Sequence, residues 1–223
     1  MATNERIRLG VLISGAGTNL QAIIDAIERG ELKAEIAIVI SNKANAPGLE
    51  RASRHGLPTA VIDHRRFARR EDFDAELVRV LKEHDVELVV CAGFMRILTH
   101  VLLSAFPNRV MNIHPSLLPA FTGIDAQRAA VEYGVRLAGC TVHFVTEKVD
   151  EGPIIIQAAV PVYPDDTEQT LRERILEQEH RIYPQAIALF QQGRLEIVGR
   201  KVRIKDFPIS QKTVCLVNPP IDE

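Results

Sequence analysis

The sequence predicts an α/β fold: a mostly parallel central sheet with helices on both faces, Rossmann-like, with an antiparallel addition in the C-terminal half. Three observations lead there. Short apolar runs alternate with segments of helical periodicity through the first half of the chain, which is the rhythm of parallel βαβ units. Two later apolar runs, residues 140–145 and 154–160, are joined by a polar loop and read as an antiparallel pair. The length of 223 residues suits one α/β domain.

The elements follow in order. Residues 7–14 (IRLGVLIS) form a buried strand ending in small residues. Leu20, Ile23, Ile24 and Ile27 recur at helical spacing, and Gly30 stops that helix. Residues 35–40 are a second strand, followed by a polar loop with Pro47 and Gly48 and a short helix over 49–54. A third strand spans 59–62. Phe73, Leu77, Val80, Leu81 and His84 mark a helix, and 86–92 is an apolar fourth strand. Residues 110–113 are a short strand and 125–133 a helix. Residues 170–192 are a long helix that Pro184 should kink or restart, since proline lacks the backbone donor. A hairpin over 195–204 turns at Val198, Gly199 and Arg200. Residues 1–205 read as one domain, about 1–105 resembling a nucleotide-binding half and about 106–205 a catalytic half, with 206–223 a loose tail.

The balance of 27 Lys and Arg against 29 Asp and Glu argues against a general nucleic-acid binder, which shows a basic surplus. It leaves room for a local anion pocket. No apolar run approaches a membrane span, and residues 1–6 lack an apolar signal core. Cys91, Cys140 and Cys215 are widely spaced and read as small hydrophobes in a reducing cytoplasm, not as metal ligands.

In a parallel sheet, ligands gather at the carboxyl ends of the strands. Three stretches there or nearby carry chemistry. The first is residues 14–19 (SGAGTN), a glycine turn before a helix. Such a turn lets backbone approach a ligand, and free helix N–H groups favour an anion. A dinucleotide fingerprint would need glycine where Leu20 stands and an acid near Asn42; a P-loop would need a lysine. A phosphate monoester fits better, with a plain tight turn as the alternative.

The second stretch is NIHPSLLP (112–119). Asn112 and His114 share a face of a strand. An amide can donate to a developing oxyanion, and an imidazole can move a proton near pH 7. The third is Asp150, in the loop between the two late strands. A carboxylate beside His114 would favour the imidazolium and orient the ring, although an Asp before Glu-Gly-Pro also suits a solvated turn. His143 reads as a partly buried structural residue, and His55, His64, His84 and His100 as surface groups. Arg51, Arg54, Arg65, Arg66, Arg69 and Arg70 form a basic run, mostly solvated, of which one or two could meet an anionic ligand.

Together and in order, SGAGTNLQAII, SNKANAPGLERA, AGFMRIL, NIHPSLLP, GCTVHFVTEKVDEGPII and QEHRIYP resemble the phosphoribosylglycinamide formyltransferases, folate-dependent enzymes of purine synthesis, over about residues 7–200. The resemblance implies a catalytic trio of Asn112, His114 and Asp150. It implies that Gly17, Thr18 and Asn19 hold the phosphate of glycinamide ribonucleotide, and that Glu179 contacts its ribose side. It implies folate binding by Arg70, Met95, Arg96, Ile97 and Leu98, with Asn112 and the 147–150 loop. The cosubstrate would be 10-formyltetrahydrofolate, without a metal, in a cytoplasmic monomer or homodimer that needs neither nucleic acid nor membrane. The loop after SLLP departs from the family pattern, with Ala120, Phe121, Thr122 and Gly123 where many members carry a basic residue.

Other readings remain. A methionyl-tRNA formyltransferase would share the trio but be expected to add a C-terminal barrel and basic surplus. A formyltetrahydrofolate hydrolase would be expected to place a regulatory domain before Ile7. A non-catalytic nucleotide-binding module would bind without turnover.

Overall fold

The computed structural model describes residues 6–206 together with Leu216 and Asn218. Residues 1–5, Cys215 and most of 206–223, read above for a leader, a thiol and a tail, lie outside the described residues. Nine strands form one sheet in the order β3-β2-β1-β4-β5-β6-β7-β9-β8. Strands β1 (Ile7–Ile13), β2 (Ala34–Ser41), β3 (Thr59–Val61), β4 (Leu88–Cys91) and β5 (Val110–His114) pair in parallel. Strand β6 (Leu137–Phe144) runs antiparallel to β5, and β7 (Ile154–Pro161) antiparallel to β6. The hairpin of β8 (Leu195–Val198) and β9 (Lys201–Ile204) closes the far edge.

Helices cover both faces, as the apolar periodicities require. Leu9, Val11 and Ile13 of β1 pack with α1 (Thr18–Glu28) and α6 (Glu168–Gln191), while Leu12 packs with α3 (Arg70–Glu83). The alternation follows from the period of two along a strand. Helices α2 (Pro47–Arg54) and α5 (Ala126–Tyr133) join the α1 face, and α4 (His100–Ala105) joins α3. The short α4 escapes the sequence reading because its six residues cannot show a helical period. Thr99 starts it by accepting from Val101 N–H through its side chain.

One expectation changes. Helix α6 begins at Glu168, capped by Thr167, and runs as one element of 24 residues through Pro184 without a restart. Its apolar face, including Leu171, Ile175, Ile182, Tyr183 and Ile187, is buried. That packing outweighs the single ladder bond proline removes. Tyr183 is fully buried, and its hydroxyl donates between the main-chain oxygens of Cys91 (3.0 Å) and Met111 (3.1 Å). It fastens α6 to the strand that carries Asn112. Cys91 and Cys140 are buried free thiols, pushed up to about 12 by burial, and pack as hydrophobes. No helix among the described residues is long and apolar enough to cross a membrane.

Candidate active site

Strand β5 presents Met111 and Ile113 to the α1–α6 core and Val110 to the α3–α4 core. Asn112 and His114 therefore continue the α3–α4 face at the carboxyl end of the strand. His114 is 5% exposed. The antiparallel register sets His143 opposite Asn112 and Thr141 opposite His114. Thr141 Oγ1 donates to Ser116 O at 2.7 Å and accepts from Leu118 N–H at 3.1 Å, holding the SLLP stretch against β6.

His143 is drawn into this site, where the sequence had suggested a structural role. It is 2% exposed, with Nε2 at 3.3 Å from Asn112 Nδ2 and Nδ1 at 2.9 Å from Phe144 O. Burial pushes its imidazole below the ordinary histidine range. A neutral ring protonated on Nδ1 satisfies both contacts: it donates to Phe144 O and accepts from the Asn112 amide. That fixes the Asn112 amide orientation and leaves its second N–H free to face a ligand.

Asp150 returns to β5 on the loop between β6 and β7. Its backbone is left-handed (φ 55°), and Gly152 lets the loop press onto β6. A Cβ at 152 would lie 1.6 Å from Phe144 O, so only glycine fits. Asp150 Oδ2 stands 3.4 Å from His114 Nδ1 and accepts from Gly123 N–H at 2.8 Å. Its Oδ1 stands 3.8 Å from His143 Nε2. His114 Nε2 contacts Phe121 O at 2.8 Å, so both its ring nitrogens face acceptors. Residues 112, 114 and 150 thus meet in one cluster, although the last lies 36 positions from His114 in the chain.

The glycine turn lies at the end of β1. Gly17 caps α1 in a left-handed conformation (φ 70°), and a Cβ there would lie 2.7 Å from Gly48 Cα. Asn19 Nδ2 donates to Glu179 Oε2 at 2.7 Å, both side chains being buried. Burial pushes the Glu179 carboxyl up, opposed by that bond. The segment after β4 sits beside the turn: Ser14 N–H donates to Gly93 O (3.1 Å), and Met95 N–H donates to Ser14 Oγ (2.8 Å). Ser14 Oγ in turn donates to Asn42 Oδ1 at 2.6 Å. At the other end, Asp74 of α3, fully buried, accepts from both the N–H and the hydroxyl of Thr99.

Residues 7–187 match the family model described as formyl transferase. The chain belongs to the formyl transferase family. Phosphoribosylglycinamide formyltransferase of Escherichia coli (strain K12) is 46% identical over 187 residues, covering 84% of this chain and 88% of that protein. The trifunctional purine biosynthetic protein adenosine-3 of Gallus gallus is 49% identical over 192 residues, or 86% of this chain. The chain spans 19% of that longer protein. The crystal structure of glycinamide ribonucleotide transformylase 1 from Symbiobacterium toebii has a TM-score of 0.89 at 57% identity, covering 91% of this chain and 95% of that one.

Within this formyl transferase, the positions transferred by resemblance fall into three places. Asn112, His114 and Asp150 cluster as described. Gly17, Thr18, Asn19 and Glu179 group where α1 meets α6. Met95 and Ile97 are exposed, Arg96 is half-buried, and Leu98 is packed in the α3–α4 core, so a ligand there meets its backbone. Arg70 opens α3 and is exposed. Sequence reasoning missed His143 and Asp74 as site-building residues. For His143 the signal was its strand position, but only the β5–β6 register sets it opposite Asn112.

Proposed function

We propose that this chain transfers the formyl group of 10-formyltetrahydrofolate to the amine of N1-(5-phospho-D-ribosyl)glycinamide, giving the formylglycinamide ribonucleotide and tetrahydrofolate in purine synthesis. The convergence of Asn112, His114 and Asp150 carries this reading. The substrate amine attacks the formyl carbon, and the carbonyl oxygen becomes an oxyanion. The free Asn112 N–H and His114 Nε2–H donate to that oxygen, His114 exchanging its contact with Phe121 O for the reacting atom. One preorganised donor of this kind is worth roughly 3–4 kcal/mol. Asp150, set between two imidazoles, orients the His114 ring through Nδ1 and, through water, helps carry the proton lost by the attacking nitrogen to the leaving N10 nitrogen. That C–N bond then breaks and the oxyanion returns to a carbonyl. The amine of the substrate is the nucleophile, so no side chain need act as one.

Gly17, Thr18 and Asn19 hold the phosphate with helix N–H groups, and Glu179 faces the ribose side. Met95, Arg96, Ile97 and Leu98 hold the pterin, with Arg70 further out and the 147–150 loop opposite. Remote anchoring of both partners makes the transfer effectively intramolecular. The buried, inert thiols suit a reducing cytoplasm.

Turnover with 10-formyltetrahydrofolate and glycinamide ribonucleotide, run beside water and charged initiator tRNA as acceptors, tests the reading. Formylation of the ribonucleotide alone is expected. Release of formate to water, or formylation of the tRNA in its place, would overturn it.

A further inference from the structure

The function proposed above brings a phosphate, carrying close to two negative charges, to a turn whose assigned contacts Gly17, Thr18 and Asn19 carry no positive charge. Asn19 is moreover bonded to a carboxylate, Glu179. The helix dipole offers only about half an elementary charge. The basic run at residues 51–70 shows where the remaining compensation lies. Arg54 pairs with Glu50, Arg65 with Asp63 and Arg69 with Asp72. Arg66 and Arg70 are exposed, and neither lines the groove beside the turn.

Arg51 differs from all of these. Its Nε donates to Ala16 O at 2.8 Å, on the turn itself, and no carboxylate bonds to it. Its terminal nitrogens carry no hydrogen bond among the described residues. The placement follows from the backbone: Gly17 and Gly48 approach closely, Gly48 N–H donates to Gly15 O (3.0 Å), and Arg51 lies one helical turn after Gly48. Thr18 and Arg51 line the same groove of about 450 Å³. Of the other arginines there, Arg29 is bonded twice to Glu31 and Arg181 once to Gln178; His180 also lines the groove, its buried Nε2 without a partner among the described residues. Asp25, also in the groove, accepts from Gln21. On the same turn, Asn19 keeps a buried Oδ1 with no partner.

We propose that Arg51 is a phosphate-binding and specificity-determining residue, its free guanidinium edge completing the charge that the glycine turn lacks. The inference rests on the function proposed above and deepens it. A guanidinium held at one nitrogen keeps a rigid fork for phosphate oxygens, which lysine cannot reproduce.

The test measures kcat/KM for glycinamide ribonucleotide and for its dephosphorylated ribonucleoside in wild type, Arg51→Met and Arg51→Lys, with melting temperatures recorded. In Arg51→Met the KM for the ribonucleotide should rise roughly ten- to a hundredfold, the scale of a lost charged hydrogen bond. The preference for ribonucleotide over ribonucleoside should shrink by the same factor, while the folate KM holds. Arg51→Lys should fall between the two. An unchanged preference in Arg51→Met would overturn the proposal. A wild type that does not turn over the ribonucleotide at all would instead remove the functional reading beneath it.

Discussion

The sheet changes character at β5, and the two sides build function differently. On the parallel side, the strands deliver turns and backbone groups: the Gly17 cap, and Met95 N–H held by Ser14. On the antiparallel side, they deliver side chains: Asn112 opposite His143, with Asp150 brought back by the loop that follows. Parallel strands all end at one edge, so their loops meet there and cradle ligands. Antiparallel neighbours face each other residue by residue, so they can place donors and acceptors at atomic spacing. Binding should therefore degrade gradually under substitution on one side, and chemistry fail sharply on the other.

The sharpest break is expected at His114. His114→Ala should lower kcat roughly a hundred- to a thousandfold with both KM values held within a few-fold, as steady-state kinetics will show. An unchanged kcat would remove His114 from the chemistry. Next comes Gly152→Ala, which drives a Cβ into Phe144 O. It should destabilise the fold by about 1–3 kcal/mol, read by denaturant melts, and also lower kcat by displacing Asp150. On the parallel side, Ser14→Ala leaves Met95 N–H and Asn42 without their partner. The folate KM should rise roughly five- to thirtyfold, the equivalent of about 1–2 kcal/mol, with kcat little altered. A collapse of kcat there would erase the contrast between the two sides.

The smallest effect is a pH dependence at Glu179. Burial raises its folded-state pKa, so the folded protein holds that proton more tightly than the unfolded chain. The stability it contributes is complete below the ordinary glutamate range and is lost as pH rises through the raised value. Glu179→Gln should remove that loss, so melting curves of wild type and variant should diverge as pH climbs through that window. Parallel curves would contradict the assignment.

The strands and most helices were legible because each carries its own signal: the period of two in β1, the spacing of Leu20, Ile23 and Ile24 in α1, the glycine at the β8–β9 turn. The 14–19 turn and the pairing of Asn112 with His114 were legible for the same local reason. What escaped depends on register or on competition between terms. His143 acquires a role only when β6 slides into place against β5. Asp74 is one carboxylate in a helix rich in them, and only the fold sets it under Thr99. Pro184 carries a strong local signal that tertiary burial overrides. The meeting of Asp150 with His114 was open to resemblance but not to spacing.

The central claim, that His114 and Asp150 act as one unit on the reacting carbon, is tested most directly by a double-mutant cycle on kcat with His114→Ala, Asp150→Asn and the pair. Groups that act together are strongly non-additive, so the pair should be no slower than the slower single variant within a few-fold. Losses that multiply in full would show two independent contributions and contradict the account.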